Sequence, residues 1–73
     1  MSNEINIKRI DISKFLKNKR LELGISQRKL ANKCGMCEAT INRMEQGKFW
    51  LGTKQYLLIC YGLGIKPTEP FEI

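Results

Sequence analysis

Seventy-three residues suffice for one small domain, and a chain of this length buries only about 60% of its unfolded surface, which excludes a large enzyme core with a deep pocket. Lys and Arg number 13 against 7 Asp and Glu, a net charge of +6 with no histidine. That balance suits a polyanion, most commonly nucleic acid, although solvated lysines alone also produce it.

No apolar run approaches the ~20 residues of a membrane span. The start, MSNEINIKRI, lacks the apolar centre of a signal peptide. The chain is therefore expected in the cytoplasm. There its three cysteines, Cys34, Cys37 and Cys60, are expected as free thiols.

Residues 1–10 read as an N-terminal arm. Ile5 and Ile7 flank Asn6 as in a short strand; Lys8 and Arg9 suit a phosphate backbone, but a frayed terminus is the favoured reading. Asp11 is placed to cap a first helix over about 12–23, with Ile12, Phe15, Leu16 and Leu23 as its apolar stripe, helped by Leu21. Gly24 closes it.

The stretch Ser26 to Gly47 reads as helix, tight turn, helix. The Ser26 hydroxyl caps the first helix. Leu30, Ala31 and Cys34 share one face at helical spacing, with Arg28, Lys29, Asn32 and Lys33 elsewhere. Gly35 fits a helix end that needs a left-handed residue. Cys37 stands where the next helix, about 37–46, is capped. In it Thr40, Ile41, Met44 and Glu45 point one way; Glu38, Ala39, Asn42, Arg43 and Gln46 point the other. An apolar face for the core and a mixed polar face for a groove is the division a recognition helix needs.

The pattern Ser26-Gln27-x-x-Leu30-Ala31-x-x-Cys34-Gly35-Met36-Cys37-x-x-Thr40-Ile41-x-x-Met44-Glu45-x-Gly47-Lys48 resembles the phage repressor and Cro group, the XRE-type helix-turn-helix proteins, and weaker likeness runs from about Leu16 to Phe71. The resemblance implies an all-α, four- to five-helix, lambda-repressor-like domain over 11–73 that binds double-stranded DNA as a small transcriptional regulator. It implies an ion pair between Arg20 and Glu45, read here as structural, because a partly buried Glu45 is costly unless paired. It also implies base or backbone contacts from Glu38, Ala39, Thr40, Asn42 and Arg43.

Chemistry refines those roles. Arg43 suits guanine O6 and N7 or otherwise a phosphate, Asn42 suits adenine or a phosphate, Ala39 a thymine methyl and Glu38 cytosine N4; Glu38 equally suits the positive end of a helix with no DNA present. Gln27, at a helix N-terminus, suits a phosphate. Arg28 and Lys48, with Lys29 and Lys54 as lesser candidates, would hold the DNA backbone.

After the turn the loop Lys48-Phe49-Trp50-Leu51-Gly52 is apolar where the family is usually polar. Thr53 is placed to cap a fourth helix over about 54–63, which is apolar almost all round. Tyr56, Ile59, Cys60 and Leu63 form its core face. Leu57, Leu58 and Tyr61 are left over, with Phe49 and Trp50. A helix apolar on every side needs a second cover. A homodimer contact through Phe49, Trp50, Leu57 and Tyr61 is expected, with fold-back into a small core as the other reading. Pro67 and Pro70 limit the tail to one helical turn at most, with Phe71 docking on the core.

No cofactor is expected. Cys34-Gly35-Met36-Cys37 offers one CxxC where a structural zinc site needs four ligands, and the βαβ setting of a thiol redox enzyme is absent. No catalytic constellation stands out, so no enzyme is expected. The rival class is a protein-interaction module, such as an antitoxin or adaptor, that uses the Phe49–Trp50 surface.

Overall fold

The structure, a computed structural model, describes residues 9–48 and 51–71. The run Ile5 to Lys8 and the loop aromatics Phe49 and Trp50 lie outside the described residues, as do the side chains of Arg9, Ile10 and Phe71. Four α-helices follow one another among the described residues: α1 (Arg9–Glu22), α2 (Gln27–Cys34), α3 (Glu38–Glu45) and α4 (Thr53–Leu63). A short 3-10 turn, Glu69–Phe71, follows.

Helix α1 begins earlier than its sequence signals suggest. Asp11 lies inside its first turn rather than at its cap, where a carboxylate still meets the positive end of the helix dipole. The buried side is Ile12, Ser13, Leu16 and Arg20, with Phe15 half-buried. Leu21 and Leu23, expected on the apolar stripe, are instead 55% and 52% exposed. The reason is angular: the inward position after Leu16 falls on Arg20 at i+4, and Leu23 lies past the helix end.

The two helices of the central unit start and stop as their residues dictate. Ser26 Oγ accepts from the Lys29 amide at 3.0 Å. Gly35 takes the left-handed conformation, φ 71°, ψ 33°, in which a side chain would be strained. From there Met36 N–H reaches back to the Ala31 carbonyl at 2.9 Å, the long bond of a Schellman end. Cys37 caps α3 with an extended backbone, but its thiol makes no capping hydrogen bond. Helix α4 starts at Thr53, so Thr53 is its first residue and Gly52 its cap. Gln55 Oε1 accepts the Gly52 N–H at 2.9 Å, the return half of a capping box, while glycine has no side chain to accept from the first-turn amides as a Thr53 hydroxyl at the cap would.

One core joins the helices. Leu16, Leu30, Ile41, Met44, Ile59 and Cys60 are its largest fully buried members, with Ile12, Ala31, Cys34, Leu51 and Leu63 around them. Gly62 lets α4 approach α2 closely: a Cβ there would sit 2.8 Å from Cys34 Sγ and 3.2 Å from Leu30 Cδ1. The tail is tied down by polar contacts. Lys19 Nζ pairs with Glu69 at 3.3 Å and lies 5.5 Å above the Phe15 ring. Tyr56 Oη donates to the Pro67 carbonyl at 2.6 Å.

Candidate nucleic-acid interface

Helix α3 turns Ile41, Met44 and Glu45 inward. Its outer side presents Glu38, Ala39, Arg43 and Gln46 to solvent, with Thr40 and Asn42 half-buried at the edges. Gln27, the first residue of α2, joins them: Gln27, Glu38, Ala39, Asn42 and Arg43 line one open depression between the two helices. Thr40 does not line it. Arg28 falls in a second depression along α2 with Ser26, Lys29, Asn32 and Lys33. Lys48 is exposed just beyond α3.

Behind this surface lies a buried ion pair. Arg20 Nε donates to Glu45 Oε2 at 2.7 Å and Arg20 Nη2 to Glu45 Oε1 at 3.0 Å. The third Arg20 nitrogen, Nη1, donates to the Ile25 carbonyl at 2.8 Å. The bidentate geometry and a hydrogen bond from each of the three guanidinium nitrogens are what make such a pair tolerable away from water. The pair fixes α1, α3 and the start of α2 relative to one another.

Hydrogen bonds continue outward from it. Gln27 Nε2 donates to Glu45 Oε1 at 2.9 Å. Asn42 Nδ2 donates to Gln27 Oε1 at 3.2 Å, and Gln46 Nε2 donates to Asn42 Oδ1 at 2.7 Å. Residue spacing foreshadows only the last of these, since Asn42 and Gln46 are i and i+4 on one helix. The Gln27–Glu45 and Gln27–Asn42 bonds span 18 and 15 residues, and nothing local in the sequence announces them. Gln46 thereby joins the surface network although it was not among the contact residues expected from the sequence.

The cysteines divide by environment. Cys34 and Cys60 are buried and Cys37 is exposed, all three as free thiols. Burial pushes the Cys34 and Cys60 thiols above their ordinary value of 9.0, which favours inert core packing over nucleophilic chemistry. Cys34 Sγ donates to the Leu58 carbonyl at 3.4 Å. Burial likewise raises the Tyr56 hydroxyl, with the adjacent Cys60 adding to the effect. Among the described residues no group of three or more Cys, Asp or Glu is arranged to hold a metal ion. No helix there is long and apolar enough to cross a membrane.

Comparison with known proteins agrees with this geometry. A family profile described as Helix-turn-helix matches residues 16–69. Among solved structures, a variant of the restriction-modification controller protein C.Esp1396I is similar at a TM-score of 0.82 and 33% identity, over 88% of this chain and 85% of that one. The restriction-modification controller protein C.AhdI from Aeromonas hydrophila is similar at 0.83 and 25% identity, over 86% and 96%. The clp gene regulator ClgR from C. glutamicum shares the fold at 0.81 with 19% identity, over 86% and 82%. Curated protein sequences give no significant match.

Proposed function

Since the chain belongs to the XRE-type helix-turn-helix family of small DNA-binding transcriptional regulators, we propose that it binds duplex DNA sequence-specifically, as a homodimer, with α3 in the major groove. The observation that carries this reading is the open depression that collects Gln27, Glu38, Ala39, Asn42 and Arg43 from two helices. In it Arg43 pairs with guanine, Asn42 with adenine, Ala39 packs on a thymine methyl and Glu38 accepts from cytosine, while Thr40 contacts base or backbone at the edge. Arg28, Lys48 and the backbone N–H of Gln27 at the start of α2 hold phosphates and set register, carrying no sequence information themselves. The likeness to two restriction-modification controller proteins supports a controller of that kind as the specific role.

The homodimer reading rests on α4. Its outer residues Leu57, Leu58 and Tyr61 are 46%, 36% and 80% exposed, an apolar patch that a second copy would cover. Two recognition helices then reach half-sites about one turn apart, ~34 Å. Titration of labelled duplex across salt concentrations tests the DNA contact. The logarithm of affinity falls linearly with the logarithm of salt, with a slope set by the phosphates neutralised; an affinity that ignores salt contradicts it. Light scattering tests the dimer, and a monomer there would favour a different protein as the cover.

A further inference from the structure

We infer that Glu45 is a positioning residue for DNA readout: its carboxylate, held by Arg20, dictates which way the side-chain amides of Gln27, Asn42 and Gln46 face. This rests on the reading of the α3 surface as the DNA-contacting face. A carboxylate only accepts and an amide side chain both donates and accepts. Glu45 Oε1, which already accepts from Arg20 Nη2, receives Gln27 Nε2 at 2.9 Å, so Gln27 must turn its nitrogen inward and its oxygen outward. That oxygen faces Asn42 at 3.2 Å and admits only a donor, so Asn42 must turn Nδ2 toward Gln27. The Asn42 oxygen is thereby aimed at Gln46, whose Nε2 donates to it at 2.7 Å.

A single acceptor-only group thus sets three amides in sequence, from a side chain 2% exposed out to solvent. The polarity matters because an asparagine reads adenine with its nitrogen on N7 and its oxygen on the N6 amino group. A half-turn of the amide exchanges donor and acceptor and presents the wrong pattern to the same base. With Glu45 in place, the Asn42 amide keeps one orientation before DNA arrives, so no ordering is required on contact.

The test separates this role from a scaffold role. Arg20→Met with Glu45→Met replaces the pair by apolar groups of similar length, an exchange that buried ion pairs often tolerate without loss of stability, and removes the acceptor that orients Gln27. Sites are selected from a random duplex pool for the wild type, this double variant, Gln27→Ala and Asn42→Ala. Asn42→Ala identifies the base pair that residue 42 faces. The double variant and Gln27→Ala are expected to lose discrimination at that same base pair by about tenfold, with preferences elsewhere retained.

A double variant that folds and keeps the wild-type preference at that pair overturns the inference. Should the double variant fail to fold, Gln27→Ala carries the test, since it leaves Arg20 and Glu45 joined. A loss uniform across all sequences, or no loss, then overturns the inference. Absence of any selected site for the folded wild type overturns the DNA reading itself, and the inference with it, an outcome distinct from every result with the variants.

Discussion

Arg20 in α1 and Glu45 in α3 stand 25 residues apart and meet through two hydrogen bonds, of 2.7 and 3.0 Å. Their side chains are 9% and 2% exposed. Removing one member strands the other charge away from water. Arg20→Ala or Glu45→Ala is expected to lose about 3–5 kcal/mol, a large part of the stability of a small domain. Thermal or urea unfolding measures it. A loss under about 1 kcal/mol would show the pair to behave as a solvent-exposed one.

Gly62 is the second point of tight constraint. Alanine in a helix interior is worth up to about 1 kcal/mol over glycine, yet here its Cβ would lie 2.8 Å from Cys34 Sγ. That sulfur sits on a short side chain and donates to the Leu58 carbonyl, so it has little freedom to yield. Overpacking wins, and Gly62→Ala is expected to destabilise by about 1–3 kcal/mol. In a Cys34→Ala background the same change is expected to be milder, since the obstructing atom is gone. An equal effect in both backgrounds would locate the strain elsewhere.

Much of this arrangement is legible in the chain because it is local or strongly periodic. The Ser26 cap, the Gly35 turn, the inward Ile41 and Met44 and the apolar excess of α4 follow from neighbours within one or two turns. Leu21 and Leu23 mislead because their apolarity counts in a stripe whatever the exact angle; the inward seat goes to Arg20, whose reason for burial is Glu45 on another helix. Asp11 and Thr53 are good capping residues placed near, but inside, their helices. The Gln27–Asn42 contact escapes the sequence because both residues also make sense as solvent-facing amides, and only the packing of α2 on α3 makes them neighbours.

At Cys37 the chain has a cap position without a cap. Its backbone is already extended, φ −81° and ψ 145°, and its thiol makes no capping bond. A serine there would place an oxygen acceptor against the free N–H groups of the first turn of α3. Cys37→Ser is expected to stabilise the fold by about 0.5–2 kcal/mol, measured by the shift in the unfolding midpoint. An unchanged or lower midpoint would mean that water already satisfies those donors.

Arg43 is exposed and shares the depression with Glu38, Ala39 and Asn42. Paired with a guanine, Arg43→Ala is expected to cost about 1–3 kcal/mol of binding and to relax preference at one base pair of each half-site. Competition binding against single-base variants of the site reads this directly. A loss equal for every sequence would assign Arg43 to a phosphate.

Selecting bound duplexes from a random-sequence pool at near-physiological salt, and sequencing them, tests specific dimeric binding of duplex DNA through α3. Two copies of α3 reading one duplex enrich an inverted repeat whose half-sites lie about one helical turn apart, ~34 Å. Failure of folded protein to enrich any sequence would contradict it, leaving the charge of +6 as the source of loose, sequence-independent contact alone.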